Sequence, residues 1–342
     1  MIKVSIIGGS GYAAGELLRL LINHPYVEVG QITSRKYYKK SVSLPHPQLR
    51  EKLNKTFCSI EELEKCDLVF VCLPNLESMK IMKEIMKKSE YVIDLGCDFR
   101  IKNLEIFKKY YNQEHLCPEL LKNFSYGLPE INREIIKNSK YVACPGCEAS
   151  LIILTLFPLV KEGFLNNKDK IIADIKIGSS AAGSEPSLST HHPERNNVVR
   201  VYQAFNHRHE GEILEQLNIK VEITATAIEL VRGILSTIYF FKENLTEKDL
   251  WRVYHKYYKD EYFIRIINQK EGLYRLPEPK IIIGTNYCDI GFKVNPETSR
   301  IILISAIDNL VKGTAGQAIQ CLNLMFNFAE NTSLDLIGLH PV

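Results

Sequence analysis

The sequence predicts an α/β body on a doubly wound parallel sheet, followed by an α+β body on a mixed or antiparallel sheet. Three observations carry this expectation. The chain opens with a short apolar run that passes straight into a glycine-rich turn and an amphipathic helix. Apolar runs of strand length then alternate with helical periodicity as far as Val160. From about Ile171 the runs keep strand character while the helices between them thin out. A length of 342 residues suits two cores better than one.

Residues Lys3–Gly8 ("KVSIIG") read as a buried first strand. In "GGSGYAAGELLRLLINHP" the spacing of Leu17, Leu18, Leu21 and Ile22 makes a one-faced helix that stops at His24-Pro25. Val27–Ser34 is the second strand and closes a βαβ unit. Gly9, Gly11 and Ala14 satisfy G-x-G-x-x-G/A between strand and helix, where free N–H groups at the helix start can hold a pyrophosphate. The bland alternative is a glycine turn in a fold that has lost its nucleotide. An NAD site usually carries an acid at the end of the second strand. This chain has Ser34, Arg35 and Lys36 there, one hydroxyl and two cations, which suit a 2′-phosphate. NADP(H) is the expected cofactor, against a merely solvated basic loop.

Asp67–Leu73, Tyr91–Leu95 and Lys140–Cys144 read as further strands, with a helix over Glu77–Lys88 between the first two. Lys36–Ser59 is polar and proline-bearing, and is expected to be an insertion near the site rather than a core element. In the second half, Ile171–Ile177, Val221–Thr226, Ile234–Phe241, Cys288–Val294 and Arg300–Ile307 have strand character. Such a sheet leaves one face open unless helices or another subunit cover it, so a homo-oligomer is expected. A helix over Leu310–Phe326 is expected to return to the first domain. The domain division is therefore 1–146 with about 309–342 for the cofactor, and 147–308 for catalysis and oligomerisation.

The formal net charge is +3 with basic residues spread throughout, which selects no nucleic-acid partner. No secretory signal opens the chain, and no window reaches the roughly 18 apolar residues of a membrane span. The 9 cysteines are odd in number and scattered, as expected of free thiols in a reducing cytosol.

Two of those cysteines stand in "YVACPGCEAS" (141–150). A structural zinc site needs a second ligand pair at similar spacing, and no other C-x-x-C exists, so no metal is assigned. A dithiol redox centre would sit at the first helix of a smaller domain. The third reading makes Cys147 a nucleophile. It follows a strand and a Pro145-Gly146 turn and precedes a helix over Ala149–Val160, near whose N-terminus a thiolate is favoured. Cys144 then ends the strand and points into packing. His207 and His209 in "NHRHEGEIL" flank Arg208. If that segment is extended, both point to one side, and one of them is the candidate acid–base group. A dinucleotide fold, a cysteine nucleophile and a distant histidine together imply reduction of an acyl phosphate through a thioester.

Along nearly its whole length the sequence resembles the N-acetyl-γ-glutamyl-phosphate reductase group. The matching blocks are "GGSGYAAGELLRLL", "DFR", "CPGC", "SSAAG", "HRHEGEI", "VRGI" and "DNLVKGTAGQAIQ". Within it, "TSRKYYKKSVSLPHPQLR", "HHPER", "GTNYCDIGF" and "LIGLHP" look more like the LysW-dependent branch. Those enzymes reduce an aminoadipyl or glutamyl phosphate whose amino group is carried on LysW, a small acidic carrier protein. The resemblance implies a Rossmann domain, NADPH chemistry, a catalytic α+β domain and usually a tetramer. It puts Cys147 in the nucleophile position and prefers His209, then His207, as acid–base catalyst. It gives Ser10, Gly11, Tyr12 and Ala13 to the cofactor loop, Ser34, Arg35 and Lys36 to the 2′-phosphate, and Asn309 to a late cofactor contact.

Arg100 in "DFR" and Arg195 in "HHPER" are candidates for holding a substrate carboxylate or phosphate, since guanidinium forks suit such anions. The group commonly has Asn after the nucleophile, where this chain has Glu148, which is expected to face the helix N-terminus. The departure "GCDFR" adds a thiol, Cys97. Competing readings are an N-acetylglutamyl-phosphate reductase acting on a free small molecule, and a catalytically silent NADP-binding scaffold.

Overall fold

The computed structural model describes residues 1–341. They group into two compact units. The first comprises Met1–Lys108, Gln113–Pro145 and Thr314–Asp335; the second comprises Lys109–Asn112, Gly146–Gly313 and the stretch from Leu336 onward.

The first unit is built on strands β1 (Ile2–Ile7), β2 (Val27–Ile32), β3 (Cys66–Val71), β4 (Ser89–Asp94), β5 (Phe124–Tyr126) and β6 (Tyr141–Ala143). Their order is β2-β1-β3-β4-β6-β5, and every pairing is parallel. The apolar runs are continuous because both faces of such a sheet are covered: Val4, Ile6, Ile7, Leu68, Val69, Phe70 and Val71 are all buried. The order reverses between β1 and β3, which places a switch-point crevice where β1 runs into the glycine turn. Helices Tyr12–Leu21 and Ser78–Lys88 follow β1 and β3, as their periodicity predicted.

One expectation is corrected in this unit. The Lys36–Ser59 stretch, expected as an insertion near the site rather than a core element, does contribute to the core: Val42, Leu49, Leu53 and Phe57 are buried, and so is His46. Its few apolar residues are too widely spaced to announce an element, yet the irregular chain turns these four inward while Leu44 stays exposed. The helix expected over Leu310–Phe326 is present, with a π-helical first turn, Val311–Ala315, followed by an α-helix, Gly316–Met325.

The second unit holds β7 (Ile172–Ile177), β8 (Val199–Gln203), β9 (Glu222–Ile228), β10 (Ile234–Phe241), β11 (Ile264–Ile266), β12 (Cys288–Asn295) and β13 (Arg300–Ile307). They form one mixed sheet in the order β11-β12-β13-β10-β7-β9-β8. Ile234, Ile238 and Phe240 point to a covered face, while Leu235 and Tyr239 on the opposite face stay partly open and Phe241 is exposed. Helix Cys147–Lys161 packs on β10 and β13, and helix Glu247–Tyr258 packs on β12. The latter starts with a reciprocal cap between Thr246 and Asp249. It and helix His209–Leu217 correct the expectation that this region is poor in helices. Both carry their apolar residues on one narrow stripe, which strand-like runs on either side obscured.

Among the described residues no helix is long and apolar enough to cross a membrane. None of the cysteines is in a disulfide.

Candidate active site

The Pro145-Gly146 turn ends in extended backbone at Gly146 (φ −68°, ψ 149°), and the helix begins at Cys147 itself rather than at Ala149. No side chain caps this 15-residue helix. Cys147 therefore sits half-buried at a helix start whose leading N–H groups lack an intrahelical acceptor, a setting that favours a thiolate.

His207 and His209 do not lie on an extended segment. Arg208 is already helical (φ −55°, ψ −31°), and His209 opens the helix His209–Leu217. Glu210 and Glu212 in its first turn suit a helix N-terminus, which outweighs the alternating histidines as a signal. The two rings nonetheless meet edge to face, with centroids 4.9 Å apart, and both are buried.

What joins them is Glu148, which does not simply face the helix end. Its Oε2 accepts from His209 Nδ1 at 2.7 Å and lies 3.1 Å from His207 Nε2. Its Oε1 accepts from the Tyr202 hydroxyl at 3.1 Å. Burial, then the charges of Glu148 and Cys147, push the Tyr202 hydroxyl pKa up. Burial also lowers the His207 pKa to about 4, with Glu148 opposing the shift. The ligand atoms of Glu148, His207 and His209 lie within 4.8 Å of one another, a grouping that could hold a cation. The separations of 2.7 and 3.1 Å are those of direct hydrogen bonds.

A second carboxylate stands across the imidazole. Glu212 Oε2 accepts the Gly146 N–H at 3.0 Å, and its Oε1 lies 3.8 Å from His209 Nε2. Spacing gave no hint of Glu148 as a partner of His209, because it reaches the ring only through packing of the two helices, whereas Glu212 stands three residues on in His209's own helix. Two glycines make the packing possible. A Cβ on Gly146 would lie 2.2 Å from His209 Nε2, and one on Gly313 would lie 2.6 Å from the Cβ of Cys147. The π-helical turn thus presents Gly313 to the nucleophile, and such turns recur at functional sites.

The remaining candidates are engaged elsewhere in their own units. Arg100 is buried in the first unit, where its Nε donates to the Cys144 carbonyl at 2.7 Å and its Nη2 to the Leu95 carbonyl at 2.9 Å. Cys97, three residues before it, is buried, and burial together with the Asp98 charge pushes its thiol pKa up to about 12. Arg195, in the second unit, donates through Nη2 to the carbonyls of Ile228 at 2.7 Å and Ile177 at 3.2 Å. Asn309 donates to the Ser180 hydroxyl at 2.9 Å and accepts the Gly233 N–H at 2.8 Å.

The glycine turn fits a dinucleotide. A Cβ on Gly9 would strike Ile32 Cγ2 at 2.2 Å, so the turn is tight, whereas one on Gly11 would meet nothing within 4 Å. Gly11 caps the ten-residue helix Tyr12–Leu21, which has no side-chain cap and no acid in its first turn. That leaves an open, electropositive cradle for a pyrophosphate, next to Ser10 and Ala13. Tyr12 is exposed at its rim. Ser34 Oγ donates to Ser10 Oγ at 3.1 Å, and Arg35 and Lys36 stay exposed beyond it. One residue of the turn's support was not foreseen. His46, buried in the irregular stretch, hydrogen-bonds through Nε2 to the Gly9 carbonyl at 2.7 Å.

Comparison with known proteins bears on both units. The family profile described as "Semialdehyde dehydrogenase, NAD binding domain" matches residues 3–139. That described as "Semialdehyde dehydrogenase, dimerisation domain" matches residues 147–309. The chain is 45% identical to the LysW-L-2-aminoadipate 6-phosphate reductase of Deinococcus radiodurans, over 99% of this chain and 98% of that protein. It is 43% identical to the LysW-L-2-aminoadipate/LysW-L-glutamate phosphate reductase of Saccharolobus solfataricus, over 99% of both. In fold it is similar to aspartate semialdehyde dehydrogenase II of Vibrio cholerae, with a TM-score of 0.72 at 16% identity over 96% of this chain and 98% of that one. The Candida albicans aspartate semialdehyde dehydrogenase, solved with NADP, has a TM-score of 0.68 at 14% identity over 97% of this chain and 99% of that one.

Proposed function

The chain belongs to the LysW-L-2-aminoadipate/LysW-L-glutamate phosphate reductases of the semialdehyde dehydrogenase family, and from that premise we propose that it reduces an acyl phosphate to an aldehyde with NADPH. Its substrate is a 2-aminoadipyl or glutamyl phosphate carried through its amino group on LysW, the partner protein. The observation that carries this reading is the setting of Cys147. It heads a buried helix, and the next residue of that helix binds both histidines.

In this reading Cys147 Sγ attacks the carbonyl carbon, the bond to phosphate breaks, and a thioester remains on the sulfur. The thiol proton passes to His209 Nε2 and leaves with the phosphate. NADPH, when bound, supplies the hydride that reduces the thioester carbon. His209, reprotonated from solvent, donates to the oxygen that gains charge in this step. It recovers that proton as the C–S bond breaks, releasing the aldehyde and restoring Cys147. Ser10, Gly11, Tyr12 and Ala13 hold the pyrophosphate, and Ser34, Arg35 and Lys36 face the 2′-phosphate. Arg195 and Asn309 hold main-chain groups and the Ser180 hydroxyl within the second unit. Arg100 holds strand-end carbonyls within the first unit.

The test is NADP-dependent oxidation of carrier-linked and N-acetyl semialdehydes of five and six carbons, in the presence of phosphate. Carrier-linked substrates are expected to turn over, and activity confined to the N-acetyl compounds would sink the reading. The double variant R35A/K36A should weaken NADPH by roughly 10–100-fold, the size of a lost charged hydrogen bond, and leave NADH unchanged. Equal losses for both cofactors would contradict the assignment of these cations. The open face of the second unit's sheet, with Leu235, Tyr239, Phe241, Ile302 and Ile304, is read as the surface for a second copy of the chain. Sedimentation at micromolar concentration should find an oligomer, and a monomer would contradict that reading.

A further inference from the structure

We propose that Glu148 is the positioning residue of this site: its one carboxylate fixes the tautomers of both histidines, so that His209 holds its proton on Nδ1 and His207 does not exchange protons. This rests on the acyl-transfer reading above.

The inference follows from counting donors. A carboxylate oxygen accepts, so the contact at 2.7 Å requires a proton on His209 Nδ1, and that at 3.1 Å requires one on His207 Nε2. The His207 tautomer is determined a second time and independently. The His209 main-chain N–H donates to His207 Nδ1 at 3.3 Å, which a protonated Nδ1 could not accept. His207 is therefore neutral with both ring nitrogens engaged, and its lowered pKa agrees. His209 differs. With Nδ1–H donated to Glu148, its Nε2 is turned toward Gly146, the residue before Cys147, with Glu212 Oε1 3.8 Å away.

This is the logic by which a buried carboxylate orients a catalytic imidazole and steadies the imidazolium that forms. Here the carboxylate comes from the residue next to the nucleophile, so sulfur and base are held by consecutive residues of one helix. Tyr202, on the other oxygen, removes the carboxylate's remaining freedom to rotate. The titratable and charged groups around this carboxylate and its two rings are Cys147 before it in the chain, Tyr202 on β8, Arg208 between the two histidines and Glu212 within the second helix.

Two measurements need no substrate, so they fail separately from the proposed function. In protein labelled with ¹⁵N-histidine, the expected signals are an Nε2–H tautomer for His207 and an Nδ1–H tautomer for His209. In E148Q the His209 preference should be lost. The second measurement is the pH dependence of Cys147 alkylation by iodoacetamide, read by peptide mass mapping. Without the carboxylate the imidazolium is less favoured, so the limb belonging to His209 should move to lower pH. E148D keeps the carboxylate and should restore the tautomers, and it serves as well if E148Q does not fold. An Nε2–H tautomer at His209 in the unaltered protein, or superimposable alkylation profiles, would overturn the proposal. With carrier-linked substrate, kcat of E148Q should fall on the order of 100-fold with KM little changed.

Discussion

Cys147→Ser is expected to lower kcat on the order of 10³-fold or more, the loss seen when the covalent member of a catalytic unit is removed. Serine is nearly the same size as cysteine, and the position is only half-buried, so the helix start should survive and Tm should barely move. What is lost is chemical. A hydroxyl at a helix start is not ionised at neutral pH, whereas a thiol there is readily deprotonated. The hydrogen bonds of His209, His207 and Glu148 to one another do not involve the sulfur, so the variant isolates the nucleophile from its base. NADPH affinity, read by fluorescence, should match the unaltered protein. Intact-mass measurement under single turnover should find an acyl adduct on the parent chain and none on the variant. Turnover within tenfold of the parent would end the thioester mechanism and leave direct reduction of the acyl phosphate.

The legible parts of this protein were those that repeat locally. The parallel sheet was readable because its strands are continuous apolar runs, and β1, the glycine turn and the first helix are adjacent in sequence. Ile234–Phe241 and Arg300–Ile307 match β10 and β13 because both are apolar runs of strand length, rich in β-branched and aromatic residues. The strands that escaped notice, β5, β8 and β11, are three to five residues long and too short for a period. At the site, the residue types were legible and their partnerships were not. Glu148 looked like a helix-start acid, and it is one, but a residue at that position can also reach sideways to whatever packs there. That the neighbour is a second helix start bearing His209 depends on residues 61 positions apart meeting in space. Likewise His46 lay in a polar insertion expected near the site, and no spacing told that its ring supports the Gly9 carbonyl from 37 positions away.

Gly313→Ala is expected to cost about as much as misplacing the nucleophile by 1 Å, roughly 100-fold in kcat. The added Cβ would stand 2.6 Å from the Cβ of Cys147, 3.3 Å from its Cα and 3.5 Å from the Asp308 carbonyl oxygen. None of these is the tip of a flexible side chain, so relief requires the helix start or the π-helical turn to move. Asp308 resists movement of the turn. Its Oδ1 accepts from the N–H of Leu310 at 2.8 Å, and its Oδ2 from the N–H of Gly284 at 2.8 Å. The helix start is held on its other side by Glu212 on the Gly146 N–H. Overpacking of this kind costs about 1–3 kcal/mol of stability as well, so a control must separate instability from misplacement. Gly163 supplies it. It lies just beyond the other end of the same helix at φ +74°, with no atom within 4 Å of its would-be Cβ. Alanine there is strained by its backbone alone and should destabilise by about 1 kcal/mol while leaving kcat intact. If G313A and G163A lowered Tm alike and both kept full turnover, Gly313 would be a packing glycine and nothing more. If only G313A lost turnover and slowed alkylation of Cys147, the π-helical turn would be what sets the nucleophile in place.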